Sequence, residues 1–546
     1  MGNNKQIISS SSTPSQLWDV FCERFLDLND VGIRIDTSRM CYADNFFSNS
    51  APLIERALKD MVSLEGGEIS NPDEGRMVGH YWLRTPELSP TDEIRTSIVR
   101  GLDELSVFSE KVISGQITGA GGNKFKNVLV IGIGGSALGP QLVADSLGSA
   151  NDKIRTLFCD NTDPDGIERL KTELGEQLSG TLCIVISKSG GTVETRNGMR
   201  EFEAFYKSKG LDFSRHAIAV TCEGSALHAY ASESGWISSF FLWDWVGGRT
   251  SLFSPVGLLP AALQGFSISE FLEGARAMDQ HTRGHDVNKN PALIMAMMWF
   301  HATGGAGKKD MVILPYKDRL VLFSKYLQQL IMESLGKELD LDGKVVHQGI
   351  SVYGNKGSTD QHAYVQQLRD GVNNFFAIFI EVLEDYTTAS GSNGNSYTEV
   401  DSGGITSGAY LNGFFQGTRT ALFENGRESI TLTLERLDAK SLGALIALFE
   451  RTVSFYGSFV NVNPYHQPGV EAGKKAAVKI IDLRRKISAL SIEASPVNVI
   501  AEKIGEPDNS EAVYKILEHM AFNQSNNVKR TGGSHPLKAR YSINKI

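Results

Sequence analysis

The spacing of hydrophobic positions changes along the chain, and each change predicts a different kind of element. From Ser15 to about Leu64 apolar residues recur at helical intervals, as Leu17, Val20, Phe21 and Phe25 and later Leu53, Leu58 and Met61. That spacing predicts a helical lead-in. The polar run Asn71-Pro72-Asp73-Glu74-Gly75 breaks it, and an aromatic and basic stretch from Arg76 to Arg84 follows. His80 in that stretch has no partner at metal-site spacing and reads as a packed histidine. Between about Ser97 and Gly265, short β-branched runs alternate with helical stretches, predicting strands at Val128–Ile131, Ile154–Cys159, Leu182–Ile186 and Ala217–Thr221. A second alternating set follows the helical segment Pro291–Phe300. Its strands are expected at Met311–Leu314, Val345–Gly349 and Phe375–Val382, with a helix over Phe323–Leu335. Gly391 to Gly408, crowded with Ser, Gly and Asn, reads as an exposed loop. Ser441 to Phe455 returns to apolar helical spacing, and Gln524 to Ile546 is basic and asparagine-rich with little to bury.

The fold class expected from this pattern is α/β: two tandem doubly wound parallel sheets, each an α/β/α layering, with helical N-terminal and C-terminal extensions. The domains are expected at 1–96 (helical), 97–268 (first sheet domain), 269–470 (second sheet domain) and 471–546 (helical arm and tail). The halves show no exact internal repeat, so their relatedness rests on topology.

A chain of 546 residues is too long for one core, and composition narrows the function classes. The hydrophobic share of 41% and charged share of 21% are those of an ordinary globular protein. A formal net charge of -9 and a pI near 5.8 argue against nucleic acid or an anionic membrane as partner. An anionic substrate then needs locally focused donors. The cysteines Cys22, Cys41, Cys159, Cys183 and Cys222 form no CxxC pair and sit mostly in apolar runs, which is reduced, cytosol-type usage. No apolar stretch reaches a membrane-spanning length, and MGNNKQIISSSSTPSQ has no secretory segment. A cytoplasmic location is expected, with a plastid-like compartment left open.

Two glycine-rich loops carry the candidate chemistry. The first, in Lys126 to Pro140 (KNVLVIGIGGSALGP), follows a strand and precedes a helix, so that Gly132, Gly134, Gly135 and Ser136 sit where backbone amides reach an anion. Gly132-x-Gly134-x-x-Ala137, with Asp160 ending the next apolar run, also fits a dinucleotide fingerprint, so this loop alone leaves NAD and a sugar phosphate both open. The second loop, Ser187-Lys188-Ser189-Gly190-Gly191-Thr192, adds three hydroxyls at another helix start. That makes a cup for a phosphate monoester, for which a dinucleotide fold has no need, and it lacks the spacing of a nucleotide triphosphate loop.

These two loops, together with Gly247-Gly248-Arg249-Thr250-Ser251, Met332-Glu333-Ser334-Leu335-Gly336-Lys337, Gln361-His362-Ala363 and Gly469-Val470-Glu471-Ala472-Gly473-Lys474, resemble the phosphoglucose isomerase family in that order. The resemblance spans about Gly132 to Lys474. It implies tandem sugar-isomerase (SIS-type) domains and reversible aldose-ketose isomerisation of glucose 6-phosphate and fructose 6-phosphate, in glycolysis and gluconeogenesis, with neither metal nor organic cofactor. By the same resemblance Glu333 is the base, Arg249 steadies the enediolate, and His362 and Lys474 open the sugar ring. Gly135, Ser136, Ser187, Lys188, Ser189, Thr192, Gln329 and Gln467 would contact the phosphorylated hexose. The histidine enters from a neighbouring subunit in the family, which implies a homodimer with shared sites. By spacing alone Glu333 would simply pair with Lys337 on a solvated helix face. Two positions depart from many members, Gly191 in place of a hydroxyl and Leu335 in place of an asparagine, and the segment after Lys474 is long with no role the family supplies. A non-catalytic sugar-phosphate sensor on the same domains, and an NAD-dependent oxidoreductase, are the alternatives.

Overall fold

Where spacing predicts only helices, the N-terminal part also builds strands, β1 (Phe25–Leu28) and β2 (Ile33–Arg39), paired antiparallel with Phe25 opposite Asp36. Helices do form on either side, at Pro14–Glu23 and Ala51–Glu65. The Ile33-Arg34-Ile35 alternation buries its isoleucines and leaves the arginine half-buried, the period of a strand rather than of a helix. The computed structural model describes residues 8–9, 11–386, 398–523 and 527–544. By its contacts the chain divides into two compact units, Met1–His466 and Gln467–Ile546.

Among the described residues the first unit holds two large sheets and two two-stranded ones. One is fully parallel, in the order β4 (Arg155–Cys159), β3 (Asn127–Ile131), β5 (Thr181–Ile186), β6 (Ala217–Cys222), β7 (Ser238–Leu242). β3 and β5 are buried along their whole length, as expected of strands covered on both faces. Ile131 lies beside Val185, so both glycine-rich loops leave the sheet at the same edge, the carboxyl ends of the strands.

The second sheet takes the strands β8 (Asp310–Pro315), β11 (Val352–Tyr353), β12 (Phe375–Val382) and β15 (Ser429–Leu434), in the order β1-β2-β15-β12-β8-β11. β8, β11, β12 and β15 run parallel, and β2 closes antiparallel onto β15. The strand expected at Val345–Gly349 exists as β10 (Val345–Gln348), but it pairs in a separate two-stranded ribbon with β9 (Lys337–Leu339). Of the loop expected at 391–408, positions 391–397 lie outside the described residues. The rest forms a short hairpin, β13 (Glu399–Asp401) with β14 (Ile405–Thr406), and opens the helix Ser407–Glu424. The helix Pro291–Thr303 is apolar all round and buried, alongside the long helix Ala439–Phe459.

The second unit corrects the reading of the C-terminal segment. It combines the helices Pro468–Ser488, Val497–Lys503 and Ser510–Phe522 with an antiparallel sheet of β16 (Ile492–Pro496), β18 (Ala539–Ile543) and β17 (Val528–Gly532). Val528, Ala539, Tyr541 and Ile543 enter its apolar core, so the polar-looking tail does have a face to bury. Among the described residues no helix is long and apolar enough to cross a membrane.

Candidate functional site

The first loop turns through a short helical turn, Gly134–Ser136, with Gly134 at φ +59°. A Cβ on Gly135 would stand 2.0 Å from the Gly248 carbonyl oxygen, so this loop packs main chain to main chain against the turn that carries Arg249. A Cβ on Gly134 would lie 3.1 Å from Gln329 Nε2. One loop therefore touches both the arginine turn and the glutamine one turn before Glu333. The helix Leu138–Leu147 follows, as expected.

The second loop leaves β5 at Ser187. The buried Ser187 hydroxyl donates to Thr192 Oγ1 at 3.2 Å, and Gly191 N–H donates to Ser189 Oγ at 3.2 Å. Thr192 is the N-cap of the helix Val193–Ser208, yet its side chain caps no amide. The helix start thus keeps orphan N–H groups for an anion, together with the favourable end of its dipole. Lys188 also ties the loop to the rest of the protein. Its ammonium donates to the carbonyls of Asp244 and Val246, both at 2.8 Å, which ties this loop to the segment leading into Gly247 and Arg249. Burial pulls its pKa down.

Arg249 is buried, and its guanidinium is spent on several acceptors at once. Nε donates to Glu333 Oε2 at 3.1 Å, and Nη1 to Pro464 O at 2.8 Å and Ser334 Oγ at 3.3 Å. Nη2 donates to His466 O at 3.3 Å. Desolvation lowers its pKa and the Glu333 carboxylate opposes that, but a guanidinium stays charged at neutral pH. Glu333 ends a π-helical stretch, Gln328–Glu333, that continues the helix Phe323–Leu327. Such wide turns recur at functional sites. Gln329 Nε2 donates to the same Oε2 at 3.1 Å, while Oε1 accepts no hydrogen bond among the described residues. The side chain is 20% exposed. The arrangement is a carboxylate locked by one oxygen and open at the other, with a fixed cation beside it.

A family model described as phosphoglucose isomerase matches residues 49–498. The chain belongs to the phosphoglucose isomerase family. It is 55% identical over 531 residues to a protein named glucose-6-phosphate isomerase from Geobacter sulfurreducens, covering 96% of this chain and 99% of the relative. A namesake from Trichormus variabilis is 52% identical over 535 residues, with 96% and 99% covered. A crystal structure of a glucose-6-phosphate isomerase from Chlamydia trachomatis superposes with a TM-score of 0.78 at 27% identity, covering 87% of this chain and 93% of that one.

Against the phosphoglucose isomerase pattern, the structure brings Gly135, Ser136, Gln329, Arg249 and Glu333 into one contiguous cluster, with Ser187, Ser189 and Thr192 on the neighbouring loop of the same sheet edge. His362 is exposed at the end of the turn Thr359–His362, two residues before Tyr364, whose hydroxyl donates to buried Asp360, and among the described residues it makes no hydrogen bond to this cluster. Gln467 is the N-cap of the helix Pro468–Ser488, and Lys474 is exposed on that helix, both within the second unit. Asp160, the acid of the dinucleotide reading, accepts from Gln141 at 2.8 Å. Sequence reasoning missed the main-chain acceptors at Pro464 and His466 and the hydroxyl of Ser334, which hold Arg249 in place. The alternative in which Glu333 merely pairs with Lys337 is not what forms: the ammonium donates to the carbonyls of Glu333 and Ser334, not to the carboxylate. Gly336 in the ESLGK run was the available signal, because a glycine there ends the helix on which i, i+4 pairing depends.

Proposed function

We propose that this protein interconverts glucose 6-phosphate and fructose 6-phosphate by moving a proton between C1 and C2 through an enediolate. Glu333 is the base, working through Oε1. Arg249 stabilises the developing oxyanion, and a preorganised cation of this kind supplies much of such a barrier reduction. Ser136, Ser187, Ser189 and Thr192 receive the phosphate, with Gly135 giving the backbone room and Gln329 steadying both base and sugar. Lys188 acts by holding the second loop to the arginine turn. His362 and Lys474 open the ring, and Gln467 adds a contact. In this reading the active form is a cytoplasmic homodimer in which His362 serves the neighbouring subunit's site. Residues 97–268 and 269–470 act as the two sugar-isomerase domains, extended by 1–96 and 471–546.

The observation that carries this reading is the asymmetric carboxylate: Oε2 is held by Arg249 and Gln329 and Oε1 is free among the described residues. The test is turnover of fructose 6-phosphate in a coupled assay, followed by the Glu333→Gln variant in heavy water. The wild type should exchange a C1 hydrogen of fructose 6-phosphate, and the C2 hydrogen of glucose 6-phosphate, with solvent, and the variant should bind the sugar phosphate without exchanging either. Exchange retained in the variant refutes the base assignment. Absence of turnover in the wild type would return the chain to a sugar-phosphate sensor.

A further inference from the structure

Gly336 ends the helix that carries Glu333. Its N–H still bonds Met332 O at 2.8 Å, and a Cβ there would stand 2.7 Å from that same oxygen. Lys337 is already the first residue of β9. The N–H groups that an uninterrupted helix would aim at the carbonyls of Glu333 and Ser334 therefore belong to a strand, and those carbonyls are orphans of the kind every helix end leaves. The Lys337 side chain supplies the missing donors. Its Nζ lies 2.8 Å from Glu333 O and 2.6 Å from Ser334 O, and the residue is 4% exposed. Glu333 and Ser334 are thus gripped twice, by Arg249 on their side chains and by Lys337 on their main chain.

We propose that Lys337 is a positioning residue for the isomerisation, fixing the backbone under Glu333 so that Oε1 stays where proton transfer between C1 and C2 requires it. The proposal rests on Glu333 being the base. Burial, and then Arg249, pull the Lys337 pKa down to about 7, opposed by Glu333 and Asp73, and His466 faces the same group. A neutral amine keeps two N–H bonds, one for each carbonyl, so the grip survives deprotonation. Only the charge beside Arg249 changes.

The test uses the full chain with Lys337→Met, Lys337→Gln and Glu333→Gln, assayed on fructose 6-phosphate. Binding of sorbitol 6-phosphate, which has no carbonyl to isomerise, is measured by calorimetry. Lys337→Met should lose about 10- to 100-fold in kcat, the scale of a small misplacement of a reacting group, while KM and sorbitol 6-phosphate affinity stay within about threefold. Lys337→Gln, which keeps an NH2 on a shorter arm, should recover part of kcat. A folded Lys337→Met enzyme with kcat within about twofold of wild type overturns the proposal, as does a loss appearing equally in KM and in analogue binding. If the methionine variant does not fold, Lys337→Ala, which also lacks the donor, is held to the same limits. Turnover by Glu333→Gln removes the base assignment and this proposal with it. A dead Glu333→Gln beside a fully active Lys337→Met removes the Lys337 proposal alone.

Discussion

Two of the arginine-carboxylate arrangements in the first unit are built from the same groups and differ in how many carboxylate oxygens are taken. In the interior, Arg84 donates to both oxygens of Asp279, at 2.6 and 2.9 Å, and also to Glu450, while Arg451 Nε reaches Asp279 at 2.9 Å and its other end reaches Glu65. Both oxygens of Asp279 are taken and every member is out of water but Glu65. At the candidate site Arg249 takes one oxygen of Glu333 and leaves the other open. A saturated carboxylate holds parts together, and a half-saturated one beside solvent is available for proton transfer. Unused bonding capacity, more than the presence of an ion pair, marks the chemical site. Glu450 is the interior exception, with Oε1 buried and unpartnered. Burial outweighs Arg84 there and pushes its pKa up to about 7. That oxygen is out of substrate's reach, and the unmet bonding there becomes a pH dependence of stability.

The comparison breaks most sharply at Glu333→Gln, which should lower kcat by about 10⁴-fold, equivalent to about 5.5 kcal/mol of barrier, with the unfolding midpoint close to wild type. Asp279→Ala should do the reverse. It leaves Arg84 and Arg451 without their shared carboxylate and costs about 3–5 kcal/mol of stability by denaturant titration, with kcat of the surviving folded fraction little changed. Arg249→Met should reduce kcat by about 10²-fold, equivalent to about 2.7 kcal/mol, and destabilise less than the Asp279 change does. If its thermal loss matches that of Asp279→Ala, the two pairs are not different in kind.

Next in size is the pH response of the interior. The folded-state pKa of Glu450 lies above its unfolded value, so its contribution is fully present below about 4.5 and fades as pH rises through about 7. Unfolding free energies of wild type and Glu450→Gln should therefore diverge by about 1–3 kcal/mol between pH 5 and 8, with wild type losing ground. Asp279, held at about 2 by Arg451 and Arg84 against burial, has the opposite sign: its contribution is present above about 3.8 and is lost as pH falls through about 2. The smallest effect belongs to the phosphate cup, where Ser189→Ala should raise KM for fructose 6-phosphate about three- to fivefold, about 1 kcal/mol, at unchanged kcat.

What could be read from the sequence follows the range of the interactions involved. The glycine-rich loops after β3 and β5 are local signals, since a buried β-branched strand, a glycine turn and a helix start are neighbours in sequence, and both stand where expected. The pairing of Arg249 with Glu333 joins positions far apart in the chain, and it was legible only through the resemblance of their motifs. β1 was missed because Phe25 falls in phase with the preceding helical spacing, and β2 because its only local sign, the Ile33-Arg34-Ile35 alternation, is short and its pairing with β15 joins distant parts of the chain. The contacts of Lys337 were not legible because i, i+4 spacing presumes a regular helix, and here the π-helical stretch and Gly336 both break it. The C-terminal strand β18 was missed because its apolar residues Ala539, Tyr541 and Ile543 sit singly between polar ones, at strand period.

The contact between Gly135 and the Gly248 carbonyl has a consequence for substrate choice. Because the two main chains abut, no side-chain exchange can lengthen or shorten the span from the anion cup to the guanidinium. On the proposed reading of the site, the gap would work as a ruler cut into the backbone, set against the number of carbons between a sugar's phosphate and its reactive end. A longer or shorter phosphosugar would have to be accommodated by moving a whole loop.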